Sequence, residues 1–140
     1  MPGQLNLFKG KRQRGTNPPS SREFVKHCVI ADLLRRWCNP QWRYTHLPMG
    51  EKRSSVTAGR LKRMGVTKGW PDFLFVGPTG VFWLELKAES GELTDEQEEL
   101  RVHLIANGHG YLCTKSVPEA VAWLKTAGIL RASIISVTGK

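Results

Sequence analysis

Residues 70–87 read WPDFLFVGPTGVFWLELK. Two runs rich in aromatic, branched and aliphatic residues, Phe73 to Val76 and Val81 to Lys87, flank Gly77-Pro78-Thr79-Gly80. Proline at the second turn position and glycine at the fourth suit a type I turn, which predicts a hairpin with a four-residue loop. Centring that loop between Pro78 and Thr79 sets the pairing. Val76 opposes Val81, Phe75 opposes Phe82, Leu74 opposes Trp83 and Phe73 opposes Leu84. One step further out, Asp72 falls opposite Glu85, and Lys87, two residues on, shares the face of Glu85. A slip of one residue would put the two acids on opposite faces.

Side chains opposed in this way have Cβ atoms about 4.5–5.5 Å apart. Two carboxylates that close repel one another unless a cation lies between them. Oxygen ligands at that separation suit a hard divalent ion such as Mg²⁺ or Mn²⁺. A lysine on the same face can orient a water or stabilise charge on a phosphate. Spacing alone leaves a blander alternative open. In it Asp72 ends a turn, and Glu85 and Lys87 form the polar side of a solvated edge strand.

Outward from the hairpin the pattern turns helical. On the N-terminal side, Ser20 stands three residues before Glu23, a capping-box spacing just after Pro18-Pro19. Val25, Val29, Leu33 and Trp37 then repeat at helical spacing beside Ile30 and Leu34, and Asn39-Pro40 ends the helix. Residues 42–47 suit a short strand, and Ser54 to Met64 a helix that stops at Gly65. On the C-terminal side, Thr94 and Gln97 form a second capping-box spacing. Leu100 and Leu104 give that helix an inner stripe, and Gly108 and Gly110 close it. Residues 111–114 read as a strand, Pro118 to Ala127 as a helix with Val121 and Leu124 inward, and 133–137 as an edge strand. Residues 1–19, with Lys9, Lys11, Arg12 and Arg14 among Gly, Pro and polar residues, read as a flexible basic arm. The order predicts one α/β domain over residues 20–140, with a small mixed sheet.

The chain has 140 residues, 21 Lys and Arg against 12 acids, and a net charge of +9. Six of the acids (Glu89, Glu92, Asp95, Glu96, Glu98 and Glu99) crowd into eleven residues that hold no base. The other 129 residues carry 21 bases against six acids, +15, which suits a polyanion such as nucleic acid. Lys52, Arg53, Arg60, Lys62, Arg63 and Lys68 are the candidate phosphate contacts. Glu51, the one acid in that segment, either lines a cleft or pairs with a basic neighbour. Trp42, Tyr44, Trp70 and Trp83 are core residues or, if exposed, stacking surfaces for bases. His46, His103 and His109 lack zinc-ligand spacing. Cys28, Cys38 and Cys113 form neither a disulfide framework nor a metal clip, which suits small core residues in a reducing compartment. No apolar run approaches the ~18 residues that span a bilayer. The first residues lack the layout of a signal peptide.

Gly69-Trp70-Pro71-Asp72, twelve residues, then Glu85-Leu86-Lys87 resembles the PD-(D/E)xK nuclease motif. Met49 to Ser54, Leu61 to Val66, Lys68 to Asp72, Leu84 to Lys87 and Gly91 to Gln97 together resemble the VRR-NUC branch of that superfamily, with a likeness running from Ser21 to Leu124. The resemblance implies a restriction-endonuclease-like core, a small mixed β-sheet flanked by helices. It also implies Mg²⁺- or Mn²⁺-dependent cleavage of phosphodiesters. Asp72 and Glu85 would be metal ligands, with the Leu86 carbonyl a third, and Lys87 the catalytic lysine. Glu23 resembles the first-helix acid that completes the metal site, although a capping box with Ser20 would use the same carboxylate. Gln97 resembles a residue that reaches the site from the helix that Thr94 opens, a role compatible with capping by Thr94. Stand-alone members act as homodimers on branched DNA such as Holliday junctions, in bacterial or phage-infected cytoplasm. The chain departs from the commonest family wording at Trp70 and at His27, where many members have Gln. A flap or single-strand nuclease, or a nucleic-acid-binding module without chemistry, are the competing readings.

Overall fold

The computed structural model describes residues 21–49 and 53–132. In chain order these form α1 (Ser21–Trp37), β1 (Arg43–His46), α2 (Ser55–Arg63), β2 (Phe73–Gly77), β3 (Gly80–Leu86), α3 (Asp95–Ala106), β4 (Gly110–Thr114) and α4 (Val117–Thr126). The basic arm of residues 1–19 and the tail strand at 133–137 lie outside the described residues, as do Ser20, Glu51 and Lys52. Among the described residues, no helix is long and apolar enough to cross a membrane.

The strands form one sheet in the order β1-β2-β3-β4. β1 and β2 run antiparallel, as do β2 and β3, whereas β4 runs parallel to β3. A parallel neighbour cannot be joined by a tight turn, and α3 supplies the crossover. The hairpin has the register read from its turn: Phe73 faces Leu84, Leu74 faces Trp83, Phe75 faces Phe82 and Val76 faces Val81. Its loop is shorter than the turn signal implies. Gly77 pairs with Gly80, so only Pro78 and Thr79 lie beyond the ladder.

Alternation along β2 and β3 gives the sheet two apolar faces. Phe73, Phe75, Leu84 and Leu86 are buried together with Ile30 and Leu34 of α1, Ala120 and Leu124 of α4, and Trp42, Ile129 and Leu130. On the opposite face the Trp83 ring lies 5.2 Å from that of Trp70, and its indole N–H donates to His109 Nδ1 at 2.9 Å. The inward face of α1 differs from the stripe read in the sequence. Ile30 and Leu34 are buried, whereas Val25 is 58% and Val29 39% exposed. The helix carries apolar residues on two sides, and the side that holds Glu23, His27, Ile30 and Leu34 is the one that meets the sheet. Cys28 is likewise exposed, not a core residue.

Helix ends follow local chemistry. Ser54 caps α2 by accepting from the Thr57 amide, Thr94 caps α3, and Ser116 caps α4 by accepting from the Glu119 amide. Gly69 then sets where α3 begins relative to β2. Its φ is +99°, and a Cβ placed on it would stand 2.7 Å from the Glu96 carbonyl oxygen in the first turn of α3. The chain leading to Asp72 and the helix carrying Gln97 therefore touch backbone to backbone. Replacing Gly69 with Ala is expected to destabilise the fold by at least about 2 kcal/mol, from the positive φ and the overpacking together. Gly80→Ala, which also has a positive φ but no atom within 4 Å of its Cβ, is expected to cost less. Urea midpoints at unchanged m-values measure both. Equal losses would show that the contact with α3 is unimportant.

Candidate active site

Asp72 lies one residue outside the β2–β3 ladder, and its backbone and side chain continue the pairing by other means. Its amide donates to Glu85 Oε2 at 3.1 Å, and its Oδ2 accepts from the Leu86 amide at 2.8 Å. Each carboxylate thus reaches across to the other strand's main chain, which holds the two acids side by side. Glu85 is 3% exposed. Its Oε1 takes the Gln97 amide at 3.1 Å and lies 3.3 Å from Lys87 Nζ. Lys87 Nζ in turn donates to Gln97 Oε1 at 2.8 Å.

Gln97 therefore has two duties. Its Oε1 also accepts from the Thr94 amide at 3.0 Å, while Thr94 Oγ1 accepts from the Gln97 amide at 3.2 Å. This is a complete capping box, and the same side chain that closes it grips the strand acid and the lysine. The first turn of α3 also bears Asp95, Glu96 and Glu98, at the end of the helix where negative charge is stabilising.

Glu23 and His27 come from α1, one helical turn apart on its inward side. His27 Nε2 lies 3.2 Å from Asp72 Oδ2. One ligand atom from each of Glu23, His27 and Asp72 lies within 4.8 Å of the other two. Among the described residues this is the cluster with metal-ligand spacing. Glu85 stands outside it and is joined to it through Asp72. The imidazole of His46 lies 5.2 Å from that of His27, and its Nδ1 stands 2.8 Å from the Asp72 carbonyl oxygen. Lys26, also on α1, donates from Nζ to the carbonyls of Lys87 at 3.1 Å and Lys115 at 2.6 Å. It ties the helix to the ends of both β3 and β4.

Sequence reasoning had picked Glu23, Asp72, Glu85, Leu86, Lys87 and Gln97. The fold brings all of them to one end of the β2–β3 hairpin, Leu86 through its amide. In the sequence His27 reads as a departure from a family pattern and as a neighbour of Glu23 at helical spacing, with no ligand role. The spacing of four from Glu23 was the available signal. Lys26 carried no signal, because its partners are main-chain carbonyls of distant strands. Arg53, Arg60, Lys62, Arg63 and Lys68 are exposed, and α2 buries no residue. The Arg53 guanidinium donates to the Pro48 carbonyl at 2.7 Å. Trp42 and Trp83 are core residues, so neither offers a free stacking face, and Tyr44 is half-buried with its ring 6.5 Å from that of Phe75. Trp70 is half-buried and donates to Thr67 Oγ1.

The acids are crowded. Burial, then the charge of Asp72, push the Glu85 carboxyl up to about 8 from an ordinary 4.5, against the opposing pull of Lys87 and the Asp72 amide. Burial and Asp72 also raise Glu23, with His27, Lys87 and Lys26 opposing. Without a bound cation, then, Glu85 holds near neutral pH a proton that the unfolded chain would release.

No model of a known family matches the chain, and no curated protein matches it. Two of the solved structures that resemble it are described as VRR_NUC. One, described as a VRR_NUC domain, is 14% identical, covers 76% of this chain and 97% of its own, and superposes at a TM-score of 0.52. The other, a VRR_NUC domain protein, is 20% identical, covers 76% of this chain and 88% of its own, at a TM-score of 0.56. At these identities the likeness is one of fold. The chain has the α/β, restriction-endonuclease-like architecture of the VRR_NUC structures.

The raised acids predict a pH profile. In metal-free protein the folded state binds the Glu85 proton more tightly than the unfolded chain does. Stability is therefore fullest near pH 4.5 and declines as pH rises toward about 8, by at most about 1.4 kcal/mol per pH unit. Glu85→Gln is expected to flatten this decline, measured by urea unfolding in chelator from pH 5 to 8. Parallel profiles for the two proteins would refute the assignment to Glu85.

Proposed function

We propose that the chain is a nuclease that hydrolyses phosphodiester bonds of DNA with a divalent ion, Mg²⁺ or Mn²⁺, held by Asp72, Glu85 and Glu23. The observation that carries this reading is the convergence of three acids, Lys87 and Gln97 at one end of a hairpin, in a chain whose α2 segment presents exposed bases. The fit to a cation rests on the same geometry. A carboxylate 3% exposed beside a second carboxylate, both retained as acids, is what a bound dication would relieve. The likeness in fold to the VRR_NUC structures supports it.

The ion, when bound, supplies charge stabilisation on the phosphate and lowers the pKa of water. The protein's own groups do the rest. The Leu86 amide fixes the Asp72 carboxylate, and the Asp72 amide fixes that of Glu85. Gln97 orients both Glu85 and the Lys87 ammonium, so the lysine arrives preorganised to stabilise the negative charge that builds on a phosphoryl oxygen. Arg53, Arg60, Lys62, Arg63 and Lys68 bind backbone phosphates, with Lys52 added from outside the described residues. The proposed substrate is branched DNA such as a Holliday junction, and the proposed assembly is a homodimer, since two symmetric cuts call for a two-fold pair of sites.

Labelled four-way, flap and linear duplex substrates, each with and without Mg²⁺ or Mn²⁺, test the proposal. Wild type is expected to cut only with the ion, giving paired symmetric nicks on the junction. Asp72→Ala is expected to abolish cleavage and keep binding. Lys87→Met is expected to lose about 10²–10³-fold in rate, and Gln97→Ala about 10–100-fold. Flap cleavage without junction cleavage would favour a flap nuclease. Tight binding with no cleavage under any divalent ion would favour a module without chemistry.

A further inference from the structure

We propose that His27 Nε2 is itself a ligand of the divalent ion, so that the site is a mixed nitrogen–oxygen centre that prefers Mn²⁺ or Co²⁺ to Mg²⁺. This rests on the reading of Asp72 and Glu23 as metal ligands and specifies which ion they share with the imidazole.

The geometry is that of ligands sharing one ion. Bonds of roughly 2.1 Å to a six-coordinate ion place adjacent ligand atoms about 3.0 Å apart and opposite ones about 4.2 Å apart. His27 Nε2 and Asp72 Oδ2 stand 3.2 Å apart, and the Glu23 atom completes a set within 4.8 Å. An ordinary ion pair would account for one such distance; two carboxylate oxygens and an imidazole nitrogen gathered within 4.8 Å of one another is a different arrangement. The backbone places them firmly. Glu23 and His27 share one side of α1, which Ile30 and Leu34 anchor in the core. The hydrogen bond from the Leu86 amide holds Asp72. The rings of His46 and Phe73, 5.2 and 5.9 Å from His27, support the imidazole on its flank. The charged groups around Glu23 are Asp72, His27, Lys87 and Lys26, and of these Asp72 stands against the imidazole.

Ligand chemistry sets the preference. Mg²⁺ favours an all-oxygen shell, whereas imidazole suits the transition ions, whose affinity for nitrogen sites rises from Mn²⁺ to Co²⁺. One nitrogen among carboxylates therefore raises affinity for Mn²⁺ and Co²⁺ and leaves Mg²⁺ weak.

Calorimetric titration of the full chain with MnCl₂, CoCl₂ and MgCl₂, in the absence of DNA, tests this apart from catalysis. His27→Gln removes the nitrogen ligand and keeps a polar side chain. It is expected to lose at least the roughly tenfold in Mn²⁺ and Co²⁺ affinity that even outer partners of a metal site contribute. Mg²⁺ affinity is expected to change much less. Equal losses for all three ions, or no loss, would overturn the proposal. Pulsed electron paramagnetic resonance of Mn²⁺-loaded wild type needs no variant. Coupling to an imidazole ¹⁴N is expected, and its absence would overturn the proposal even if the variant failed to fold. Nitrogen coupling in a protein that cuts no DNA would refute the nuclease reading and leave the ligand assignment standing.

Discussion

Glu85 is an ionisable group sealed in the sheet beside a second carboxylate, and the surrounding structure is arranged to make that tolerable. A carboxylate removed from water costs several kcal/mol unless its lone pairs are met and its charge is balanced. Here the Asp72 backbone amide, the Gln97 side-chain amide and the Lys87 ammonium meet them, from the residue before β2, from α3 and from just past the end of β3. The hairpin register brings up Asp72, the crossover brings up α3, and Gly69 lets the two approach without a side chain between them. Such a site is costly to the empty fold, and proteins retain costs of this kind where a ligand repays them.

Two layers meet at the site. The sheet face buried under α1 and α4 supplies rigidity, while the opposite face, under Trp70, His109 and α3, carries Glu85. Asp72 stands at the strand end where side chains of both layers can touch it, taking His27 from α1 and facing Glu85 on β3. Lys26 binds the layers at the same end, because its ammonium accepts no hydrogen bond and must find oxygens, and the nearest are carbonyls where β3 and β4 stop. This end of the sheet is thus tied to α1, to α3 and across the hairpin, which holds its acids in fixed positions.

Much of this was legible in residues 70–87. The turn chemistry fixed a register, and a register of period two fixed which residues share a face, so Asp72, Glu85 and Lys87 fell together without any tertiary information. Gln97 was legible twice, as a cap and as a site residue, and the fold uses both meanings at once. The α1 readings fared less well. Val25 and Val29 continued a convincing apolar stripe and lie exposed, because a helix with apolar residues on two sides does not say which side meets a sheet. That choice followed from where Glu23 and His27 had to go. His27 was visible as an oddity and as a neighbour of Glu23 at helical spacing, but its closeness to Asp72, which comes from another element, was not. Lys26 was illegible for the same reason in stronger form, its partners being main-chain atoms that no sequence pattern records.

The capping box of α3 deserves a last look for what it welds together. One amide oxygen, Gln97 Oε1, both terminates a helix and steers Lys87. Fraying of that terminus, ordinarily a harmless local event, would here slacken the grip on the ammonium and on Glu85 in the same motion. The helix end thus behaves as a latch for the candidate site, and the order of one terminal turn is the order of the acid and the lysine it holds.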